Sequence, residues 1–210
     1  MRNQILLTLS ISLLAVQAFG YEEEDLARLR STSKCVKCDL SEADLGGALL
    51  MGASLISANL TGAKLQGTNL TNADLTNANL SEANMANANL FGANLVGTNL
   101  TETNLNQADL SWADLSEANM RGANLSKTDF TKANLSRANL RETKLQKSDL
   151  RGADLRGADL RGAVLTAAYL NEANFDGADL RKANLYRASM RGATLCNTID
   201  PEGGKINKDC

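Results

Sequence analysis

A large apolar residue recurs at every fifth position from Leu40 to Leu195 without a slip of register. Of these 32 centres, 27 are Leu, three are Met (Met85, Met120, Met190) and two are Phe (Phe130, Phe175). Two residues before each centre stands a small residue: 25 Ala, five Thr, one Ser and Cys38. A five-residue unit cannot bury its own apolar face, so such units must stack on one another. Neither regular element accommodates the period. On an α-helix, five residues overshoot a full turn by about 140°, which scatters the centres around the surface. On a strand, an odd step puts successive centres on opposite faces. The backbone therefore turns once per unit, in the same sense each time, and closes into a solenoid filled by the centres and their small partners.

Catalysis finds little support in this composition. The 210 residues include no His, which removes Ser-His-Asp and Cys-His arrangements and the commonest metal ligand. Asp and Asn are abundant just before the centres, where their expected work is to bond the backbone of the local turn. Glycines mostly fall two residues after a centre, as a turn requires, and form no phosphate-binding pattern. Six Asn-x-Ser/Thr sequons, at Asn59, Asn69, Asn79, Asn99, Asn124 and Asn134, arise from the repeat itself. No enzyme activity and no cofactor or metal are expected.

The two ends differ from the repeat. Residues 1–20 combine Arg2, an apolar run from Ile5 to Ala18 and small residues at Ala18 and Gly20, and read as a signal peptide. The alternative is an uncleaved anchor, but 14 apolar residues fall short of a span of about 20. Residues 21–37 read as an N-terminal cap. Acids at Glu22, Glu23, Glu24 and Asp25 precede bases at Arg28, Arg30 and Lys34, and Leu26 and Leu29 share a face, which predicts a short helix over the first coil. Cys35 and Cys38 lie at one end of the repeat, Cys196 and Cys210 at the other. In an exported chain such cysteines read as disulfide staples. The Cys35-Val36-Lys37-Cys38 spacing also fits a thiol redox pair. Residues 196–210 carry the only proline, Pro201, before Gly203 and Gly204, and are expected to turn over the C-terminal end without forming another coil.

Units such as Ala153-Asp154-Leu155-Arg156-Gly157 and Ala133-Asn134-Leu135-Ser136-Arg137 resemble the A(D/N)LXX motif of the pentapeptide-repeat proteins. The resemblance covers residues 38–195. It implies an all-β solenoid, a right-handed quadrilateral β-helix with four units per coil, so the 32 units make about eight coils, a tower roughly 38 Å tall at strand spacing. The ends of such a tower are too far apart for a disulfide, whose Cα atoms lie within about 7 Å, which favours Cys35 with Cys38 and Cys196 with Cys210. Exported family members with a Cys-closed C-terminal cap, in the thylakoid lumen and periplasm, share this layout.

Four units per coil also arrange the surface into columns with a 20-residue step. One column ends in Arg121, Arg141, Arg161 and Arg181, either an anion-binding stripe or a solvated ladder neutralised by Glu142, Asp159 and Asp179. Phe91 and Trp112 fall on one side in adjacent coils, with Met51 in the Phe91 column, as an expected contact patch. Charge is split along the axis: Cys38 to Leu110 has one base against seven acids, Ser111 to Leu195 has 14 bases against ten acids. The leading expectation is a structural or interaction protein outside the cytoplasm, in periplasm, lumen or extracellular space. Its partner is a protein or an anionic polymer, met through the arginine column or the Phe91 and Trp112 patch. End-to-end or side-to-side homo-oligomers are compatible; nucleic-acid binding and membrane insertion after signal cleavage are not expected. Family members that imitate DNA and bind topoisomerases supply a second reading, against which stand the arginine column and a net charge of only −2. A thiol redox protein using Cys35 and Cys38 is the third.

Overall fold

Backbone hydrogen bonds set the coil at 20 residues. In the computed structural model, which describes residues 21–208 and 210, parallel β-bridges join each residue before a centre to the one 20 positions later, from Lys34 with Ser54 to Asp179 with Ile199. Four five-residue units therefore complete one coil. The signal-peptide reading of residues 1–20 lies outside the described residues.

One unit accounts for all its amide hydrogens. Leu60 N–H donates to the Asn79 carbonyl one coil on (2.7 Å), and Gly62 N–H to that of Ser81 (2.9 Å). Ala63 N–H closes a turn on the Leu60 carbonyl (3.0 Å), and Lys64 N–H reaches back to Ala43 (2.9 Å). The remaining amide, that of Thr61, donates to Asn59 Oδ1 (3.3 Å). A coil stacked on both sides therefore needs an Asx acceptor before the centre, and this requirement explains the Asp and Asn content of the repeat. The turn also needs a left-handed residue two after the centre, as in a type II turn. Gly62 (φ 64°) supplies it without cost, whereas Trp112 (φ 60°) holds the same conformation with a bulky side chain.

The centres and small residues fill the axis. Leu40 through Phe175 are almost all fully buried, and the larger Phe130 and Phe175 are accommodated in the same interior. Where Thr replaces Ala, its hydroxyl finds a carbonyl: Thr68 Oγ1 donates to Leu45 O (2.7 Å), Thr103 to Leu80 O (2.8 Å) and Thr128 to Leu105 O (2.7 Å). Buried hydroxyls are thus paired, as the interior requires.

Helix α1, Glu23–Thr32, caps the N-terminal end and buries Leu26 and Leu29 against the first coil. Its acidic first turn and Arg30 in the last turn complement the helix dipole. At the other end the chain departs from expectation. Strand β1, Leu195–Ile199, continues the stack over part of a further coil before pairing antiparallel with β2, Lys205–Lys208. Thr198 explains the extension: it falls in the small-residue phase, is fully buried and donates to Phe175 O (2.7 Å). Disulfides join Cys35 to Cys38 and Cys196 to Cys210. No helix among the described residues is long and apolar enough to cross a membrane.

Candidate functional site

The 20-residue coil sorts the exposed side chains onto four sides. Arg121, Arg141, Arg161 and Arg181 stack on one of them, since bridges link Asn119, Asn139, Asp159 and Asp179 in the same register. Phe91 and Trp112 stand ten residues, or half a coil, away from that register and so occupy the opposite side. The two surfaces singled out in the sequence are therefore separate, and one flat partner cannot cover both.

Three of the four column arginines are already engaged. Arg161 pairs with Asp159 at 2.6 Å and lies 3.7 Å from Asp179; Arg181 pairs with Asp179 at 2.5 Å; Arg121 reaches Glu142 at 3.1 Å. Arg141 differs: it forms no ion pair among the described residues, and its buried Nε has no hydrogen-bond partner. Two further pairs repeat the Asp-Leu-Arg geometry: Arg156 with Asp154 on a neighbouring side, and Arg151 with Asp149 on the opposite side, in the Phe91 column. Neither pair stood out in the sequence, although Asp two residues before Arg within one unit is their signature. The hydrogen bond from the arginine of the same unit holds the Asp154, Asp159 and Asp179 carboxyls below the usual carboxylate range. At Asp149 burial pushes the carboxyl up, and the bonds and charge of Arg151 outweigh it to leave it lowered. The column is thus mostly self-neutralised.

The opposite side concentrates apolar surface. Seven large apolar residues are exposed among the described residues, and Leu49, Met51, Phe91, Trp112 and Tyr169 share this one side. The other two, Val36 and Tyr186, stand apart, and Ile56, Val96 and Val164 are only half-exposed. Lys132, one coil beyond Trp112, places its ammonium 4.6 Å from the indole centroid. Among the described residues, Trp112 is the only aromatic one in the left-handed turn position.

The cysteines are arranged for structure. Cys35 and Cys38 are buried beneath α1 and bonded to each other, so a reductant or substrate disulfide has no access to sulfur. Asp25 lies beside them, close enough to complete a three-ligand cluster, but both sulfurs are held in the disulfide and offer no thiolate.

Pentapeptide-repeat models match the chain in eight copies, across residues 33–72, 68–107, 93–131, 108–146, 133–166 and 158–197. The chain belongs to the pentapeptide-repeat family. Among solved structures, this pentapeptide-repeat protein is similar to HetL, a pentapeptide-repeat protein involved in heterocyst differentiation regulation in the cyanobacterium Nostoc sp. strain PCC 7120. Identity is 31%, coverage 89% of this chain and 99% of HetL, and the TM-score 0.53. It is also similar to QnrB1, a plasmid-mediated fluoroquinolone resistance protein, with 19% identity, coverage of 78% and 89%, and a TM-score of 0.63. At that identity the second likeness speaks to the fold alone. These solved relatives are right-handed β-helices, the fold of this chain. Comparison with curated proteins finds no match. Proteins of this family are generally structural or interaction proteins without enzymatic activity.

Proposed function

We propose that this pentapeptide-repeat protein is a binding module that meets a protein partner through the side carrying Leu49, Met51, Phe91, Trp112 and Tyr169. The observation behind this reading is that five of the seven exposed large apolar residues share one side of an otherwise polar tower. Scattered apolar residues are ordinary on a surface; their alignment on one wall is the mark of a contact site. Trp112 strengthens the case, because a bulky residue held at positive φ costs roughly 1–2 kcal/mol that the repeat itself does not require. Residues 1–20 and the two disulfides support a setting outside the cytoplasm, in an oxidising compartment.

The arginine column is the second surface. Arg141, with its unpartnered Nε, is the one member of the column free of an ion pair and is where a single carboxylate or phosphate group would dock. Such a contact is narrower than the anion stripe implied by four stacked arginines. DNA mimicry has less support, because the C-terminal half of the tower carries more bases than acids. A thiol redox role is disfavoured by the burial of Cys35 and Cys38.

Affinity capture with Phe91→Ser plus Trp112→Asn, beside wild type and an Arg141→Glu variant, tests the reading. Asn already occupies the Trp112 position in other coils, at Asn72, so the fold tolerates it. The expected result is loss of a specific partner by the aromatic variant alone. Retention of every partner by that variant, with loss by Arg141→Glu, would move the site to the arginine side.

A further inference from the structure

Among the described residues, the two ends of the tower are each only half closed. At the N-terminal end, α1 and its flanks bond to the sides that begin at Asp39 and Ser54: Glu22 N–H donates to Asp39 O, Asp39 N–H to Asp25 Oδ2 (2.8 Å), and Ser54 N–H to Ser33 O. At the C-terminal end, the β1 segment bonds to those same two sides, where Leu180 N–H donates to Ile199 O (2.8 Å) and Phe175 N–H to Thr194 O (2.9 Å). Each cap therefore leaves the other two sides bare, and the bare sides coincide along the axis.

Bare here means unpaired backbone. In the last coil the N–H groups of Leu185, Arg187, Met190 and Gly192 have no backbone partner among the described residues, nor have the carbonyls of Ala183 and Ala188. One coil earlier, the equivalent Leu165 and Ala167 N–H groups are bonded at 2.8 and 2.9 Å. In the first coil, Asp44 and Leu49 N–H and the Gly46 and Met51 carbonyls are likewise unpaired. Apolar surface accompanies both edges. Leu185 and Met190, core centres by phase, are only partly buried, and beside α1 a groove of about 230 Å³ is lined by Leu29, Leu45 and Leu49. A sheet edge with free donors and acceptors is a template for a further chain.

Charge selects the occupant. Glu42 and Asp44 flank the bare edge of the first coil, and α1 opens with Glu23 and Glu24; Arg187 and Arg191 flank that of the last coil, and β2 carries Lys205 and Lys208. Two C-terminal ends repel each other, and so do two N-terminal ends, whereas an N-terminal end suits a C-terminal one. We propose that the protein self-associates head to tail, the C-terminal end of one copy seated on the N-terminal end of a second. A half rotation about the axis puts the β1–β2 hairpin of the first copy over the bare edge at Asp44 to Met51 of the second. The same rotation lays α1 of the second over Leu185 and Met190 of the first. Like ends do not meet, so the contact is heterologous and adds copies without closing.

Sedimentation velocity over a dilution series tests this independently of the side-wall partner. Wild type is expected to grow beyond a dimer with concentration and to return to monomer in high salt, since Debye screening acts at about 8–10 Å. Arg187→Glu with Arg191→Glu is expected to weaken association at least about tenfold, as removal of interfacial charge complementarity does. Glu stands at the Arg187 turn position elsewhere, at Glu142 and Glu172, so this variant folds. Mixing it with a Glu42→Lys, Asp44→Lys variant restores a junction and produces heterodimers. A wild type that stays monomeric, a charge variant that associates unchanged, or a species that stops at a dimer and gains nothing in the mixture overturns the proposal.

Discussion

At the scale of single residues, the repeat is governed by where each amide hydrogen goes. The residue before each centre supplies the acceptor that the stacked backbone cannot, and in several coils it also donates to the coil before, as Asn99 Nδ2 does to Asn79 Oδ1 (2.9 Å) and Asn124 Nδ2 to Asn104 Oδ1 (3.1 Å). Lys144 breaks this pattern, because its side chain cannot accept from the amide of Gln146. Lys144→Asn is therefore expected to stabilise the protein by about 0.5–1.5 kcal/mol, one net hydrogen bond. In a chain of this length that raises Tm by roughly 2–4 °C per kcal/mol, measurable by calorimetry. An unchanged or lower Tm would mean that the Gln146 amide is already satisfied by solvent.

At the scale of the repeating unit, Asp-Leu-Arg forms a closed ion pair on the surface. The carboxyls of Asp149, Asp154, Asp159 and Asp179 are all lowered in the folded state, so their contribution is present above the unfolded carboxylate value, near 3.9, and is lost as pH falls through the folded values. Each pair is exposed on its arginine side and screened by solvent, so its contribution is small. Replacing Arg151, Arg156, Arg161 and Arg181 by Gln is expected to lower Tm at pH 7, with the gap to wild type narrowing below about pH 4. A gap that stays constant down to pH 2 would show that the arginines act through packing of their stems instead of charge. The unit is also where the sequence was most informative and where it fell short. Leu and Ala at fixed phase revealed the inward side chains, because burial repeats with the coil. Pairing within Asp154-Leu155-Arg156 went unread, because a column view looks 20 residues away and the partner stood two residues away. Thr198 was missed for a related reason: one small residue in phase, without an apolar centre after it, carries too little pattern to separate a further strand from a turn.

At the scale of the whole molecule, an unbroken register turns sequence position into surface position. Residues half a coil apart face opposite ways, which is why Phe91 and Trp112 separate from Arg121, Arg141, Arg161 and Arg181. Leu49 and Met51 lie at the bare edge of the first coil and enter the end-to-end contact, whereas Phe91 and Trp112 stay clear of it, and the half rotation at each junction sets their wall on alternating sides of a chain of copies. The apolar wall itself was only partly visible beforehand: Phe91, Trp112 and Met51 were placed together, whereas Leu49 and Tyr169 joined them once the register was known. Photocrosslinking from each side in turn probes that wall most directly, with a photoreactive residue at Asn72 beside Phe91, at Gln66 or Thr76 on the adjoining sides, or at Glu82 on the arginine side. Crosslinks to one partner protein from Asn72, and none from Glu82, are the predicted result. Equal crosslinking from all four sides, or crosslinking from Glu82 alone, would contradict the assignment of the apolar wall as the binding surface.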